Sequence, residues 1–416
     1  MKFIANRLHE RLWVKPLIMC IISIGMALIA KAADGNQWII SISFISSNTV
    51  ESLLKIIASS MLVMATFAVG SMISAYSSAS RTATPRSFPL IISDDISQNA
   101  LSYFIGAFIF SIVSLIALLS DFYGEGGIFA LFLLTLVVFT VVISTFVRWV
   151  DKIARLGHLK STVDKVECAA TNAFKERMRN PLLGGVPLGK NPDSRGGIAV
   201  KSKDIGYLQR VDTKDLQTFA KEHNLRIVVS ALPGSFIGPE RIIAYIVDIS
   251  DTEEELDLTI IEKAFHISDG RTFDEDPRFG LVVLSEIAVK ALSPGINDPG
   301  TAITVLGSYI RLFHLWSRAE EFRSDDPTIF DRIEVPEIEL KDLFDDAFAA
   351  ISRDGAATLE VGVRLQKALT SLSSLELEGI HLLAKHHSNL AIKKANNSSM
   401  LEEELEVLKA SSPVNP

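Results

Sequence analysis

Residues 128–147, IFALFLLTLVVFTVVISTFV, decide the fold class because they form an uninterrupted apolar run. A helix of about 20 apolar residues is long enough to cross the hydrocarbon core of a bilayer. Three more apolar segments precede this one, at residues 17–33, 56–80 and 101–120, and the first is the shortest and weakest. The last three segments contain no Asp, Glu, Lys, Arg or His. This composition argues against a proton relay or a charge-coupled pump.

Charge is distributed unevenly along the 416 residues, of which 48% are hydrophobic. Residues 1–150 hold nine Lys and Arg and seven Asp and Glu, and the rest of the chain holds 32 and 42. The first part is therefore typical of a domain whose partner is the lipid bilayer, and the second of an acidic soluble domain. No nucleic-acid partner is expected, because phosphate binding needs a basic face.

The loop charges predict the orientation in the membrane. Lys and Arg precede the first segment, separate the second from the third, and follow the fourth, whereas the other two loops are mainly acidic. Under the positive-inside rule, both termini lie in the cytoplasm.

A secretory signal peptide is the competing interpretation of the first segment, because Ala30-Lys31-Ala32 resembles a cleavage site. The long charged region before it, which holds Phe3, Leu8 and Trp13, favours an uncleaved anchor. Cleavage would leave the other three spans oriented as before.

The second segment carries a line of hydroxylated and small side chains. One helical face would present Ser60, Phe67, Ser71, Ser74 and Ser78. Small residues usually serve close helix packing in membranes. The alternative is a weakly polar pore lining in a homo-oligomer, with Arg81 and Arg86 at its inner mouth.

The expected fold is a membrane α-helical domain of four transmembrane helices joined to a cytoplasmic α+β domain. Residues 1–150 form the transmembrane domain, and residues 151–195 form a juxtamembrane helix with a Gly/Pro-rich linker. Residues 196–250 alternate like strands and predict a small β-rich unit. Residues 251–416 are predicted to be a helical cytoplasmic region, in which His386 and His387 are interpreted as a solvated helix end.

ALSPGINDPGTAI, residues 291–303, interrupts two apolar runs of that helical region. Asp298–Pro299, and Asp276–Pro277 before it, predict helix starts, because Asp is a strong N-cap and Pro fits the first helical position. Helix closure is assigned to Ser293, Pro294 and Gly295, with Gly295 tolerating a left-handed exit. Asn297 is a second local capping acceptor.

Charged residues around this motif leave a binding or catalytic interpretation open. Arg271, Asp274, Glu275, Asp276 and Arg278 lie before the first helix, and Glu286 and Lys290 lie four residues apart on it. Glu286 could act as a general base and Arg271 as an anion clamp. No nucleophile, metal or phosphate-loop motif supports such a role, so we expect no enzyme activity, metal or cofactor.

Several motifs together resemble a known family. They are Pro85–Arg86, Gly206–Tyr207, Asp212, Pro233–Gly234, Phe236, Gly270–Thr272, Asp276, Phe279–Gly280, Ala291–Pro299 and Thr301–Ala302. The chain resembles the bacterial predicted membrane proteins of the domain-of-unknown-function family 2254, with Gly300 as a departure. The resemblance implies an inner-membrane protein with a cytoplasmic domain and brings no known activity.

Three functions remain as hypotheses. The first is a homo-oligomeric channel or transport protein that its cytoplasmic domain gates or assembles. The second is a membrane-anchored sensor or scaffold whose cytoplasmic domain binds a ligand or protein. The third is a membrane-tethered enzyme. The sequence names no ion or ligand.

Overall fold

The computed structural model describes residues 13–35, 45–82, 84–92, 95–155, 159–189, 197–248, 256–323 and 329–413. The chain divides into two compact units, Met1–Thr162 and Val163–Pro416. In the described residues, the first unit is helical and the second combines helices with two small sheets. This confirms the expected fold class.

Five helices make up the described part of the first unit. They are α1 (Val14–Ala30), α2 (Ser47–Thr82), α3 (Phe88–Ile92), α4 (Asp95–Leu119) and α5 (Glu125–Arg155). All but the short α3 are long and apolar enough to cross a bilayer. These four helices coincide with the four predicted spans, although α2 and α5 extend well beyond the apolar runs.

Helix α4 lies at the centre of this bundle and packs against α1, α2 and α5. Close approach to α1 depends on Gly106, where a Cβ would lie 3.1 Å from Met19 Cβ and 3.2 Å from Ser23 Oγ. On the other side of α4, the buried Trp149 ring packs edge-on against Phe104. Small residues and aromatic rings thus set the packing, as is usual for helices in a membrane.

The start of α5 is fixed by Asp34, which follows α1 in a 3-10 turn (Lys31–Gly35). The Asp34 carboxylate accepts hydrogen bonds from the N–H groups of Gly124 and Gly127. A Cβ at Gly127 would overlap that carboxylate, so the glycines let the free N–H groups of the helix start surround it.

The described residues of the second unit form eight strands in two sheets. They are β1 (Val186–Pro187), β2 (Ile198–Lys201), β3 (Gly206–Val211), β4 (Arg226–Val229), β5 (Phe236–Ile237), β6 (Ile242–Val247), β7 (Phe265–Ser268) and β8 (Ile333–Val335). The larger sheet has the order β1-β8-β4-β6-β2, with β1 and β4 both parallel to β8. The smaller sheet, β5-β3-β7, is antiparallel. Strands β1, β7 and β8 lie outside the predicted β-rich range of residues 196–250.

Among the described helices of the second unit, two short ones pack against the sheets and the later ones pack against one another. The described helices are α6 (Leu159–Arg179), α7 (Thr213–Glu222), α8 (Thr259–Ala264), α9 (Pro277–Leu292), α10 (Pro299–Ser317), α11 (Leu340–Asp354), α12 (Leu359–Ser373), α13 (Ile380–Asn396) and α14 (Glu402–Ala410). A Cβ at Gly280 of α9 would overlap Ala170 of α6, so glycine permits these two helices to touch.

His387 shows why the bundle differs from its sequence-based interpretation. The side chain is only 2% exposed and lies beside the rings of Phe344 and Phe348. The prediction of a solvated helix end was therefore wrong for His387, because α13 packs this face against α11. Burial lowers the pKa of its imidazole to about 4, so the ring is neutral at neutral pH.

Candidate functional site

The SPGINDP segment forms a helix stop and a helix start, as predicted. Helix α9 ends at Leu292 and α10 begins at Pro299. The carboxylates of Asp276 and Asp298 accept hydrogen bonds from the N–H groups of Phe279 and Thr301, which confirms both as N-caps. Ser293 is the C-cap residue of α9.

The left-handed residue in this turn is Asn297, with a φ of 49°, and not Gly295. The prediction for Gly295 was wrong. Asn tolerates this conformation better than most residues, because its short polar side chain bonds locally. The bend is closed by backbone hydrogen bonds from Asn297 N to Ser293 O at 2.9 Å and from Asp298 N to Ala291 O at 2.8 Å. Pro294 and Gly295 are exposed, and Pro299 is partly exposed.

Arg271, the predicted anion clamp, is already paired within the protein. Its Nε lies 2.7 Å from Asp276 Oδ2 and its Nη2 lies 3.0 Å from Asp276 Oδ1. Asp276 is only 2% exposed, so this two-point ion pair is buried. The guanidinium is therefore occupied by a carboxylate of its own chain, which contradicts a free anion clamp.

A cleft of about 270 Å³ opens beside this pair, and we call it the Arg271 cleft. It is lined by Ser230, Leu232, Pro233, Gly234, Ser235, Arg271, Asp276, Arg278, Pro336, Glu337, Ile338, Glu339 and Asp342. The Pro233–Gly234 turn thus meets Asp276, which lies far from it in sequence. Gly234 has a φ of 95°, and a Cβ there would overlap the Asp276 carboxylate.

The second arginine of this cleft is also paired. Arg278 binds Asp346, with Nε 2.6 Å from Oδ2, and it also binds Asp342. Both guanidinium groups of the Arg271 cleft are therefore neutralised by carboxylates, and its remaining charged lining, Glu337 and Glu339, is acidic.

Glu286 and Lys290 lie on α9 and are both partly exposed. The structure does not bring Glu286 into the Arg271 cleft, so the general-base hypothesis gains no geometric support.

A larger cleft of about 530 Å³ is lined by Glu275, the neighbour of Asp276 in sequence, and we call it the Arg177 cleft. Its polar lining is Glu176, Arg177, Asn180, Arg210, Asp212, Thr213, Lys214 and Glu275, and its apolar lining includes Leu183, Val211 and Phe330. The residues come from the end of α6, the end of β3, the start of α7 and the segment before α9.

Arg177 is the most buried charged residue of this cleft, at 4% exposure. Its Nη2 donates to the carbonyl oxygen of Glu275 at 2.8 Å. Its Nη1 is buried and has no hydrogen-bond partner among the described residues. Burial lowers the pKa of this guanidinium to about 10, which leaves it charged at neutral pH.

Glu275 faces two arginines of the cleft. Its Oε1 lies 3.4 Å from Arg210 Nε, and Arg210 Nη2 lies 3.7 Å from Asp212 Oδ2. Burial raises the pKa of Glu275 to about 7, and the positive charges of Arg210 and Arg177 oppose that rise. Glu275 therefore takes up a proton at a much higher pH than an ordinary glutamate.

The start of α7 completes the cleft. Asp212 caps this helix by accepting a hydrogen bond from Asp215 N at 3.3 Å. Within the described chain, the backbone N–H groups of Thr213 and Lys214 have no acceptor. Lys214 is exposed, and no carboxylate of the described residues lies within 4 Å of its ammonium. The Arg177 cleft is thus lined by N–H donors without an acceptor as well as by charged side chains.

The predicted line on the second span lies partly on the outer face of the first unit. Ser60, Phe67 and Ser74 of α2 are exposed and Ser71 is partly exposed. The Ser60 hydroxyl donates to Ile56 O at 2.7 Å, so it is satisfied within its own helix. Arg86 is exposed in the turn after α2, and the side chains of Ser78 and Arg81 lie outside the described residues.

Two polar features were missed from the sequence. Helix α4 carries four of the hydroxyls buried inside the first unit, at Ser97, Ser102, Ser111 and Ser114. The Arg177 cleft was missed because its charges come from positions 177, 210 and 275, which no local spacing connects. An available signal was Arg177 itself, since it falls on the apolar side of an amphipathic helix.

Comparison with known proteins places most of the chain in one family. The family model described as "Predicted membrane protein (DUF2254)" matches residues 9–371. An uncharacterized protein of Mycobacterium tuberculosis (strain CDC 1551 / Oshkosh) is 31% identical over 104 residues, which cover 24% of this chain and 20% of that protein. Uncharacterized proteins of Mycobacterium bovis and of M. tuberculosis strain H37Rv are each 30% identical over the same shares.

The chain therefore aligns with only about a fifth of the length of the curated relatives it matches. No solved structure matches the chain. The family match extends over the four apolar helices and most of the second unit, including both clefts. The chain belongs to the family of predicted membrane proteins described as domain of unknown function 2254.

Proposed function

We propose that this protein is a membrane-anchored ligand-binding protein of the sensor type, whose second unit takes a small ligand in the Arg177 cleft. The observation that carries the proposal is the buried guanidinium of Arg177, which retains a donor without a partner among the described residues. A buried, unpaired polar group lowers stability, so its presence in an open cleft favours a role in binding. We propose binding without catalysis, because no catalytic motif is present in the sequence.

A thermal-shift screen of the full chain in lipid nanodiscs tests this proposal. The panel contains neutral, cationic and anionic metabolites, and the control is Arg177→Met. We expect at least one compound to raise the melting temperature of the wild type and to lose that effect in the variant. The proposal fails if no compound shifts the wild type, or if every shift persists in Arg177→Met.

A homo-oligomeric channel or transport protein is the second candidate function. The outward face of α2 favours it, because Ser60 and Ser74 are exposed there beside Gly70. Small and hydroxylated residues allow helices of neighbouring subunits to approach closely. This candidate ranks second because the Ser60 hydroxyl is satisfied by its own helix and needs no partner subunit.

Disulfide cross-linking in membranes separates the two candidates. In a background with Cys20 and Cys168 replaced by Ser, Ser74→Cys should form linked dimers if this face joins subunits. The matched control is Ala68→Cys, because Ala68 lies on the buried side of α2. Conductance of a verified oligomer in planar bilayers, blocked by Ser74→Leu, would then support a channel. Absence of both cross-linking and conductance leaves the sensor.

We propose that the second unit lies on the cytoplasmic side of a bacterial inner membrane, with both termini inside. The alternating charge of the loops supports this orientation. An impermeant thiol reagent should label Ser194→Cys only after cells are permeabilised. Labelling in intact cells would reverse the orientation.

A further inference from the structure

We propose that the ligand of the Arg177 cleft carries an oxyanion, either a phosphate or a carboxylate group, held by Arg177, Lys214 and the start of α7. This inference rests on the proposed ligand-binding function and names the chemical class of the ligand.

The first argument is that no counter-charge contacts Arg177, since the carboxylates of Glu275 and Asp276 act on its guanidinium only from beyond 4 Å. No carboxylate oxygen of the described residues lies within 4 Å of its guanidinium, although the side chain is almost fully buried. A buried charge without a close partner is expensive, and breaking or omitting such a pair costs several kcal/mol. An oxyanion in the cleft would supply the negative charge that this buried guanidinium lacks in its immediate surroundings. Arg binds planar or tetrahedral oxyanions through two parallel N–H groups.

The second argument is the free start of α7, which lies in the same cleft. The backbone N–H groups of Thr213 and Lys214 have no acceptor within the described part of the chain. A helix start favours anions because its N–H groups point outward and its dipole is positive there. The Lys214 ammonium adds a third source of positive charge on the same rim.

Three carboxylates oppose an anion in this cleft. Asp212 already accepts a hydrogen bond from α7, and Glu176 is exposed at the rim. Glu275 is the closest to the arginines, and Asp274 next to it adds a negative charge. Protonation removes the negative charge of Glu275 and with it much of the repulsion of an anion. The raised pKa of about 7 makes this protonation possible near neutral pH. Anion binding should therefore take up a proton at Glu275 and tighten as the pH falls.

The rest of the lining points to an organic ligand larger than a bare ion. Leu183, Val211 and Phe330 form an apolar part of the wall. The volume of about 530 Å³ falls in the range of small-molecule sites. The ligand class is thus a small molecule with one phosphate or carboxylate and an apolar portion.

The test is calorimetric titration of the full chain in nanodiscs of zwitterionic lipid, with inorganic phosphate, phenyl phosphate and benzoate as probes. We expect phenyl phosphate to bind, Arg177→Met to weaken it at least about tenfold, and Lys214→Ala about threefold. Lys214→Ala keeps the test valid if Arg177→Met folds poorly, because Lys214 is exposed. Lys221→Ala is the matched control, since Lys221 is exposed on α7 but does not line the cleft. Binding of benzoate, which stays ionised over this range, should also tighten several-fold from about pH 8 to about pH 6, and less so in Glu275→Gln.

Separate outcomes distinguish the inference from the proposed function. One outcome is that neutral or cationic compounds bind in an Arg177-dependent manner while none of the three anions binds. That result would overturn the inference that the ligand carries an oxyanion, but the proposed ligand-binding function would stand. Equal anion binding by Lys214→Ala, Arg177→Met and the wild type would also overturn it. Nanodiscs that contain phosphatidic acid identify the source: competition with phenyl phosphate points to a lipid headgroup, and its absence to a free anion.

Discussion

Asp276 and Glu275 are neighbours in sequence, but they line two clefts whose arginines are paired differently. Asp276 is held by both ends of the Arg271 guanidinium and caps α9. Glu275 has one arginine nitrogen at 3.4 Å, and a second arginine, Arg177, bonds only its backbone carbonyl. Two adjacent residues thus line two clefts. In one cleft the arginines are paired with carboxylates, and in the other Arg177 is not.

The difference indicates what each cleft is for. In the Arg271 cleft the cations are neutralised by carboxylates that also fix helix starts and join α9 to α11, so its charges stabilise the fold. In the Arg177 cleft a cation is buried without a close counter-charge, and a carboxyl group titrates near neutral pH. Perturbed groups of this kind cluster at functional sites.

The largest effect is expected from Asp276→Ala, which tests the paired cleft. The change removes an N-cap and leaves Arg271 partly buried without its carboxylate. Breaking a buried ion pair from one side costs about 3–5 kcal/mol. Pulse proteolysis of the full chain in urea, in nanodiscs, gives the change in the unfolding free energy of the second unit.

Asp276→Asn sharpens this result because it keeps a capping acceptor and removes only the charge. We expect it to remain strongly destabilised. Recovery of wild-type stability in Asp276→Asn would show that Asp276 acts only as a cap.

The next effect is a pH dependence caused by Glu275. Its pKa in the folded protein is about 7, above the ordinary value of 4.5, so the folded state binds more protons between these values. The free energy of unfolding should therefore fall as the pH rises from about 4.5 to about 7, by up to about 3 kcal/mol, and then level off. Pulse proteolysis across this range measures the fall.

Glu275→Gln is the control, since its amide cannot ionise. The difference between wild type and variant isolates Glu275 from other titrating groups, including His387, whose lowered pKa acts in the opposite direction below about pH 6.5. Parallel curves for the two proteins would contradict a raised pKa at Glu275.

A smaller effect is expected at Asp298, the second N-cap. Its carboxylate accepts from Thr301 N at 3.2 Å and from Thr301 Oγ1 at 2.6 Å, and it pairs with no cation that the structure describes within 4 Å. Asp298→Ala should therefore cost only a cap, about 0.5–2 kcal/mol. Asp298→Asn should stay close to the wild type, unlike Asp276→Asn, in the same proteolysis assay.

Local chemistry explains which parts of this protein were predictable. Long apolar runs identified the four spans, and Asp-Pro pairs identified the starts of α9 and α10, because both signals act over a few residues. The sequence did not reveal that β1 and β8 pair in parallel, with Val186 opposite Glu334, because such pairing has no local period. His387 was misjudged for the same reason, since the helix that covers it is distant in sequence.

The candidate sites were predictable to a lesser degree. The charged segment at residues 271–278 was singled out from the sequence, but its partners were not, because Gly234 and Arg177 approach it only in the folded chain. The hydroxyl line of α2 was visible as a pattern, yet a pattern does not say whether its face meets lipid or another subunit.

The smallest change in stability is expected from Arg177→Met, and this result separates the two clefts most directly. The variant loses one hydrogen bond to Glu275 O but also removes a buried charge that has no carboxylate within 4 Å among the described residues. Replacing such a charge by an apolar side chain of similar size is often neutral or stabilising, so we expect a change of about 1 kcal/mol or less. Arg271→Met is the matched comparison. It leaves the Asp276 carboxylate buried and unpaired, and it should therefore cost about 3–5 kcal/mol in the same assay. If Arg177→Met is as destabilising as Arg271→Met, Arg177 stabilises the fold, and the case for a ligand in its cleft loses its main support.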